Sequence, residues 1–162
     1  MKKTIKILFI TLLLLSFAIH AATLEGRVVG VTDGDTITIL DASNVQYKIR
    51  LAGIDAPEKK QAYGNMSKKS LSDLVFGKLV VVDYNKHDRY GRIVGKVIVD
   101  GNDVNLEQVR RGLAWYFKKY KNELVLDERL AYLHAEEGAR NDGLGLWVQP
   151  NALPPWEFRR PL

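Results

Sequence analysis

Residues 23–51 read TLEGRVVGVTDGDTITILDASNVQYKIRL, and this stretch sets the architecture. It is rich in Val, Ile and Thr, alternates apolar with polar side chains, and breaks at Asp33-Gly34 and again from Asp41 to Asn44. Alternation buries one face of a strand and leaves the other in water, while Asp-Gly and Asx-rich breaks are turn chemistry. Three short consecutive strands in an antiparallel meander are expected. Gln61 to Phe76 lacks that alternation, carries Ala62, Met66, Leu71, Leu74 and Val75 among Ser and Lys, and predicts a helix ending at Gly77. Lys78 to Tyr84, with Leu79 to Val82 as an apolar run, and the alternating Arg92 to Val99 predict two more strands joined by the polar loop Asn85 to Gly91.

After the Asp100-Gly101 turn, Val104 to Leu113 predicts a short helix stopped by Gly112, with Leu106, Val109 and Leu113 on one side. Glu123 to Arg140 predicts a longer one, with Leu126, Leu130 and Leu133 at i, i+4 and i+7 and Gly143 beyond its end. Strands, a helix, strands and then helices make an α+β class: a five-stranded OB-type β-barrel with three α-helices.

Outward from this body, Lys2, Lys3 and Lys6 precede the apolar Ile7 to Ile19 and the small pair Ala21-Ala22, so residues 1–21 read as a signal peptide. The apolar run is too short to span a bilayer, and the mature chain is expected to be secreted or periplasmic, with no stable membrane association. Residues 22–147 form the barrel domain, and 148–162, with Pro150, Pro154, Pro155, Trp156 and Pro161, a tail packed on it. Three of the 24 Lys and Arg leave with the signal, so 21 basic residues face 19 acidic ones. Their distribution is more telling than that small excess. Residues 22–45 hold Arg27 against Glu25, Asp33, Asp35 and Asp41, whereas 46–92 hold ten bases against five acids. An acidic focus beside a basic stretch suits a cation site facing a polyanion. Cysteine is absent and only His87 and His134 follow the signal, which excludes disulfides, thiolate zinc sites and an HExxH arrangement.

Two acidic clusters carry the chemistry. Asp33-Gly34-Asp35-Thr36 is first of all a hairpin turn, but Asp55-Ala56-Pro57-Glu58 follows the third strand, where a meander can bring the two together. Oxygen ligands from separate segments without His or Cys favour Ca²⁺ or Mg²⁺, and outside the cytosol Ca²⁺ is the better fit. Arg50 lies five residues before Asp55, and Arg92 closes Asp88-Arg89-Tyr90-Gly91-Arg92. Hydrolysis of a phosphodiester concentrates charge on the equatorial oxygens, which a cation and rigid guanidinium forks stabilise, while a carboxylate handles the attacking water.

In order and spacing, Asp33 to Thr36, Arg50 to Glu58 and Arg89 to Arg92 resemble the staphylococcal nuclease (thermonuclease) family, over roughly residues 23–147. The resemblance implies an OB barrel with three helices and a Ca²⁺-dependent nuclease cutting DNA and RNA with little sequence preference and leaving 3′ phosphates. It implies that Asp35, Asp55 and the backbone carbonyl of Ala56 hold Ca²⁺, that Glu58 orients or deprotonates water, and that Arg50 and Arg92 bind the scissile phosphate. By the same resemblance Arg89 and Tyr90 hold a terminal phosphate. The family's stacking tyrosines fall within Trp115 to Tyr120, making Trp115, Tyr116 and Tyr120 substrate-binding candidates beside Lys118, Lys119 and Lys121. Position 56 is Ala where the best-known member has Thr, a change that matters little if only the carbonyl serves. No protein partner is implied. A catalytically silent OB module that binds nucleic acid is the alternative, and it leaves the Glu58 and arginine set without a purpose.

Overall fold

The computed structural model describes residues 22–160; the signal read over residues 1–21 lies outside the described residues. Strands β1 (Ala22–Val31), β2 (Thr36–Leu40) and β3 (Gln46–Leu51) form the antiparallel meander. After the two-residue β4 (Ile54–Asp55) come helix α1 (Gly64–Val75), then β5 (Leu79–His87) and β6 (Ile93–Val99). The sheet runs in the order β3-β2-β1-β5-β6, and β6 returns to pair with β3, closing a five-stranded barrel. Closure is parallel, with Ile49 opposite Ile93, Arg50 opposite Val94 and Leu51 opposite Gly95. All other contacts between barrel strands are antiparallel, so closure is what carries the start of β6, and Arg92 with it, to the side of Arg50.

A closed barrel leaves no long unpaired edge, and its interior fills with the inward half of each alternating strand. Val28, Ile37, Ile39, Ile49, Leu51, Val80, Val82 and Val97 do this, joined by Leu71 and Val75 from α1. The α+β barrel expected from the sequence is thus the fold observed. Gly77 ends α1 with φ of +75°, a left-handed conformation that glycine adopts at no steric cost.

A short β7 (Asn102–Asp103) leads into helix α2 (Val104–Arg110), whose N-cap Asp103 accepts the Leu106 amide at 3.0 Å. Strand β8 (Trp115–Tyr116) pairs with β4, setting Tyr116 opposite Ile54 and Trp115 opposite Asp55. A 3₁₀ segment (Lys118–Glu123), helix α3 (Leu126–Asn141), a second 3₁₀ segment (Gly145–Val148) and the four-residue α4 (Pro155–Phe158) complete the described chain.

The leucines that mark α3 by spacing do not supply its deepest contacts: Leu126 and Leu130 are exposed, and Tyr132, Glu136 and Ala139 are buried instead. This face succeeds because its polar groups have partners. Tyr132 donates its hydroxyl to Asp103 at 2.9 Å, and Glu136 accepts the Tyr116 amide at 3.1 Å. Asn105 is another buried polar residue; its amide oxygen accepts from Val97, and its NH₂ donates to the carbonyls of Ala52 and Gly95, all at 3.1 Å. It therefore stitches the end of the barrel to the segment that leads into β4.

Candidate active site

The β1–β2 turn is built tightly against its surroundings. Asp33 accepts the Asp35 amide at 3.1 Å, and the Gly34 carbonyl accepts Gln108 from α2 at 2.9 Å. A Cβ at Gly34 would run into Ser67 of α1 and Ala56, so glycine is required here for close approach. Asp35, only 6% exposed, accepts the Thr36 hydroxyl at 3.0 Å on one oxygen and the Ala56 amide at 2.9 Å on the other. The two acidic segments separated in sequence by the meander are thereby fastened to one another. Burial, reinforced by the adjacent Asp35 charge, pushes the Asp33 carboxyl up to about 6.

Arg50 lies at the end of β3 with its guanidinium folded back on the chain. Nη1 donates to the Leu51 carbonyl at 2.8 Å and Nη2 to the Ile54 carbonyl at 2.9 Å. The same Nη2 stands 3.4 Å from Asp55 and 3.8 Å from Asp35, between the two carboxylates. Burial works against its charge, but Asp35 and Asp55 outweigh that and hold its pKa above the ordinary value. Asp55 is 2% exposed because β4 is sealed by β8, and burial raises its carboxyl against the pull of Arg159 and Arg50.

Arg92 is set by the turn that precedes it. One oxygen of Asp88 accepts the amides of Tyr90 at 2.9 Å and Arg92 at 3.0 Å, and the other accepts Arg92 Nε at 2.7 Å. These bonds, Arg92 foremost, overcome burial and hold the Asp88 carboxyl below its usual range. Asp88 engages the Nε edge of Arg92, and the side chain lines the cleft. Arg89 and Arg92 flank the Tyr90 ring, their guanidinium carbons 4.8 and 5.6 Å from its centroid.

These parts open on one cleft of about 740 Å³, lined by Asp35, Arg50, Asp55, Ala56, Glu58, Arg89, Tyr90, Arg92 and Tyr120. Asp33, Asp35, Asp55 and Glu58 line it together with Lys86, Arg89, Arg92 and Lys119, and two of these bases have acidic partners in the same lining, Arg92 with Asp88 and Lys86 with Glu123. Trp115 and Tyr116 fall elsewhere: both are buried and contribute to an adjacent hollow rather than to this cleft. The Trp115 ring packs edge-on against Trp147 and Trp156, while Tyr120 keeps 43% of its surface exposed.

Three positions were missed in the sequence. Asp88 had a legible signal, an Asx turn in Asp88-Arg89-Tyr90-Gly91. Gln108 had none. Nor had Arg159, which reaches into the site from α4: Nη2 lies 2.7 Å from Asp55 and Nη1 lies 2.7 Å from Glu58.

The donor set suits a hard cation. It is all oxygen, and two buried carboxylates already draw two guanidinium groups, which shows where positive charge is required. No three His, Cys, Asp or Glu side chains converge on one point among the described residues. A Ca²⁺ ion, which takes six to eight oxygens, would fill its shell here with water and phosphate beyond what the protein donates.

Comparison with known proteins agrees with this geometry. Residues 48–149 match the family model described as staphylococcal nuclease homologue. A Haemophilus influenzae protein called an uncharacterized endonuclease is 43% identical over 158 residues, covering 96% of this chain and 85% of its own. An Escherichia coli protein of the same description is 43% identical over 151 residues, 93% of this chain and 94% of its own. A Shigella flexneri micrococcal nuclease is 37% identical over 148 residues, 86% of this chain and 82% of its own. The barrel, the cleft and these matches together place the chain in the staphylococcal nuclease-like family, as a nuclease.

Proposed function

We propose that this nuclease is exported, depends on Ca²⁺, and cleaves DNA and RNA with little sequence preference, leaving 3′ phosphates. The observation that carries the reading is the fastening of Asp35 to Ala56 with Arg50 between Asp35 and Asp55, in a cleft whose other wall holds Arg92. Asp35, Asp55 and the Ala56 carbonyl would hold Ca²⁺, which when bound supplies a Lewis acid for a phosphate oxygen. Arg50 and Arg92 approach from different strands. Their forks bind the equatorial oxygens on which charge builds, and because both are already anchored through the backbone or Asp88, little reorganisation accompanies the reaction.

Glu58, at the cleft mouth, accepts a hydrogen bond from the attacking water. Attack in line forms a P–O bond to the water oxygen and breaks the P–O5′ bond; the water gives up a proton to Glu58 or solvent, the leaving oxygen takes one from solvent to become a 5′ hydroxyl, and the phosphate stays on the 3′ side. Tyr90 and Tyr120 are the most exposed rings lining the cleft, and we assign them to contact with substrate, together with Arg89. Phosphate contacts and stacking carry little sequence information, which fits cutting at many sequences.

Digestion of plasmid DNA and of a structured RNA tests this directly. Both are expected to be degraded with Ca²⁺ and left intact with a chelator. Degradation that ignores the chelator sinks the metal assignment, and intact substrates in both conditions sink the activity.

A further inference from the structure

Arg159 makes contacts out of proportion to its position near the end of a four-residue helix. Its fork spans two carboxylates: Nη2 donates to Asp55 at 2.7 Å, while Nη1 donates to Glu58 at 2.7 Å and lies 3.2 Å from the second Asp55 oxygen. It is carried there by a segment with an anchor of its own. Pro155 is buried, Trp156 stacks on Phe117 with centroids 5.0 Å apart and planes 14° apart, and Gln61 donates to the Leu153 carbonyl.

Electrostatics explain why the guanidinium settles there. Asp33, Asp35, Asp55 and Glu58 line one end of the cleft, with Arg50 as the neighbouring buried cation. Two-point binding by a planar fork neutralises that excess and satisfies the carboxylate lone pairs of Asp55, which is cut off from water. A metal ion needs the same Asp55 oxygens, and water directed by Glu58 needs the carboxylate that Arg159 also holds.

We propose that Arg159 is an internal competitor for the metal: its guanidinium holds the Asp55 and Glu58 oxygens and must leave Asp55 before Ca²⁺ binds. This inference rests on the Ca²⁺ reading of Asp35 and Asp55. Trp156 and Pro155 stay anchored, so the guanidinium swings while α4 keeps its place. Apparent affinity falls by the fraction of molecules whose site is open, so a site closed in nine molecules of ten binds about tenfold more weakly than the open one. Ca²⁺ affinity is thereby set by the tail rather than by the ligands alone, and an anionic substrate arriving at the cleft gives the freed guanidinium a new partner.

The test is Ca²⁺ titration by calorimetry, without nucleic acid, of the wild-type protein and of Arg159→Gln, Arg159→Lys, Arg160→Gln and Asp55→Asn. Arg159→Gln should bind Ca²⁺ about tenfold more tightly than wild type, Arg159→Lys should fall between, and Arg160→Gln should match wild type. In thermal melts, Arg159→Gln should lose stability without Ca²⁺ and gain more from it than wild type does. Equal or weaker Ca²⁺ binding by Arg159→Gln overturns the proposal. Asp55→Asn separates the two ideas: if wild type binds Ca²⁺ and Asp55→Asn does not, the metal reading stands and the Arg159 comparison alone judges the competitor. If wild type and every variant fail to bind, the metal reading falls and the competitor with it.

Discussion

Arg92 owes its place to Asp88, which takes its Nε while the side chain lines the cleft. Loss of a preorganised donor to transition-state charge typically costs about 10² to 10³ in turnover, so Arg92→Ala should lower kcat by at least about 10² with an unchanged melting curve. Steady-state cleavage of a labelled oligonucleotide reads this, and near-wild-type turnover would remove Arg92 from the mechanism. Asp88→Ala should act through Arg92, lowering kcat with a smaller change in KM. Asp88→Asn, which keeps the amide-accepting oxygen, should recover part of the loss. Asp35→Ala should shift the half-saturating Ca²⁺ concentration of activity upward while far-UV circular dichroism stays the same. At this scale the sequence was readable where a residue type has one chemical use, as with acidic pairs and arginines at fixed spacing. It was silent on Arg159, because a basic residue 104 positions from its carboxylate partner leaves no local pattern.

Elements hold the site through buried polar links rather than through propensity. Asn105 satisfies three backbone groups that join β6 and α2 to the Ala52 segment. Removing it takes this partner from the Val97 amide and the Ala52 carbonyl, while the Gly95 carbonyl keeps the Ala52 amide, and at about 1–3 kcal/mol for each unpaired group Asn105→Ala should destabilise the fold by about 3 kcal/mol in urea unfolding. Asp103 is held between two roles, capping α2 and accepting from Tyr132, and burial raises its carboxyl above the ordinary range. A raised carboxyl binds its proton more tightly folded than unfolded, so its contribution is fullest below the unfolded pKa and declines as pH rises through the folded one. Asp103→Asn, which keeps an acceptor for the cap, should therefore gain stability relative to wild type with rising pH. Asp103→Ala should lose about 1 kcal/mol from the cap, beyond the partner that Tyr132 also loses. The strands and helices were legible because alternation and glycine stops report directly on local geometry. The buried face of α3 was not, since Tyr132 and Glu136 are buried by virtue of partners on β7 and β8, and spacing favours leucine.

For the whole molecule, the decisive arrangement is parallel closure of β6 on β3, which brings Arg50 of β3 and Arg92 at the start of β6 to one cleft. Five strands in a meander-and-return order were readable from the sequence. A tail packed on the barrel was expected from its Pro and Trp content, but where Arg159 lands was not readable, since α4 is short and its register comes from Trp156 packing on Phe117. The measurement that tests the central claim most directly is mass analysis of the fragments from a single-stranded DNA oligonucleotide incubated with Ca²⁺ or with chelator. The account predicts fragments ending in 3′ phosphates with Ca²⁺ and intact oligonucleotide with chelator. Fragments carrying 5′ phosphates, or cleavage that persists in chelator, would contradict it.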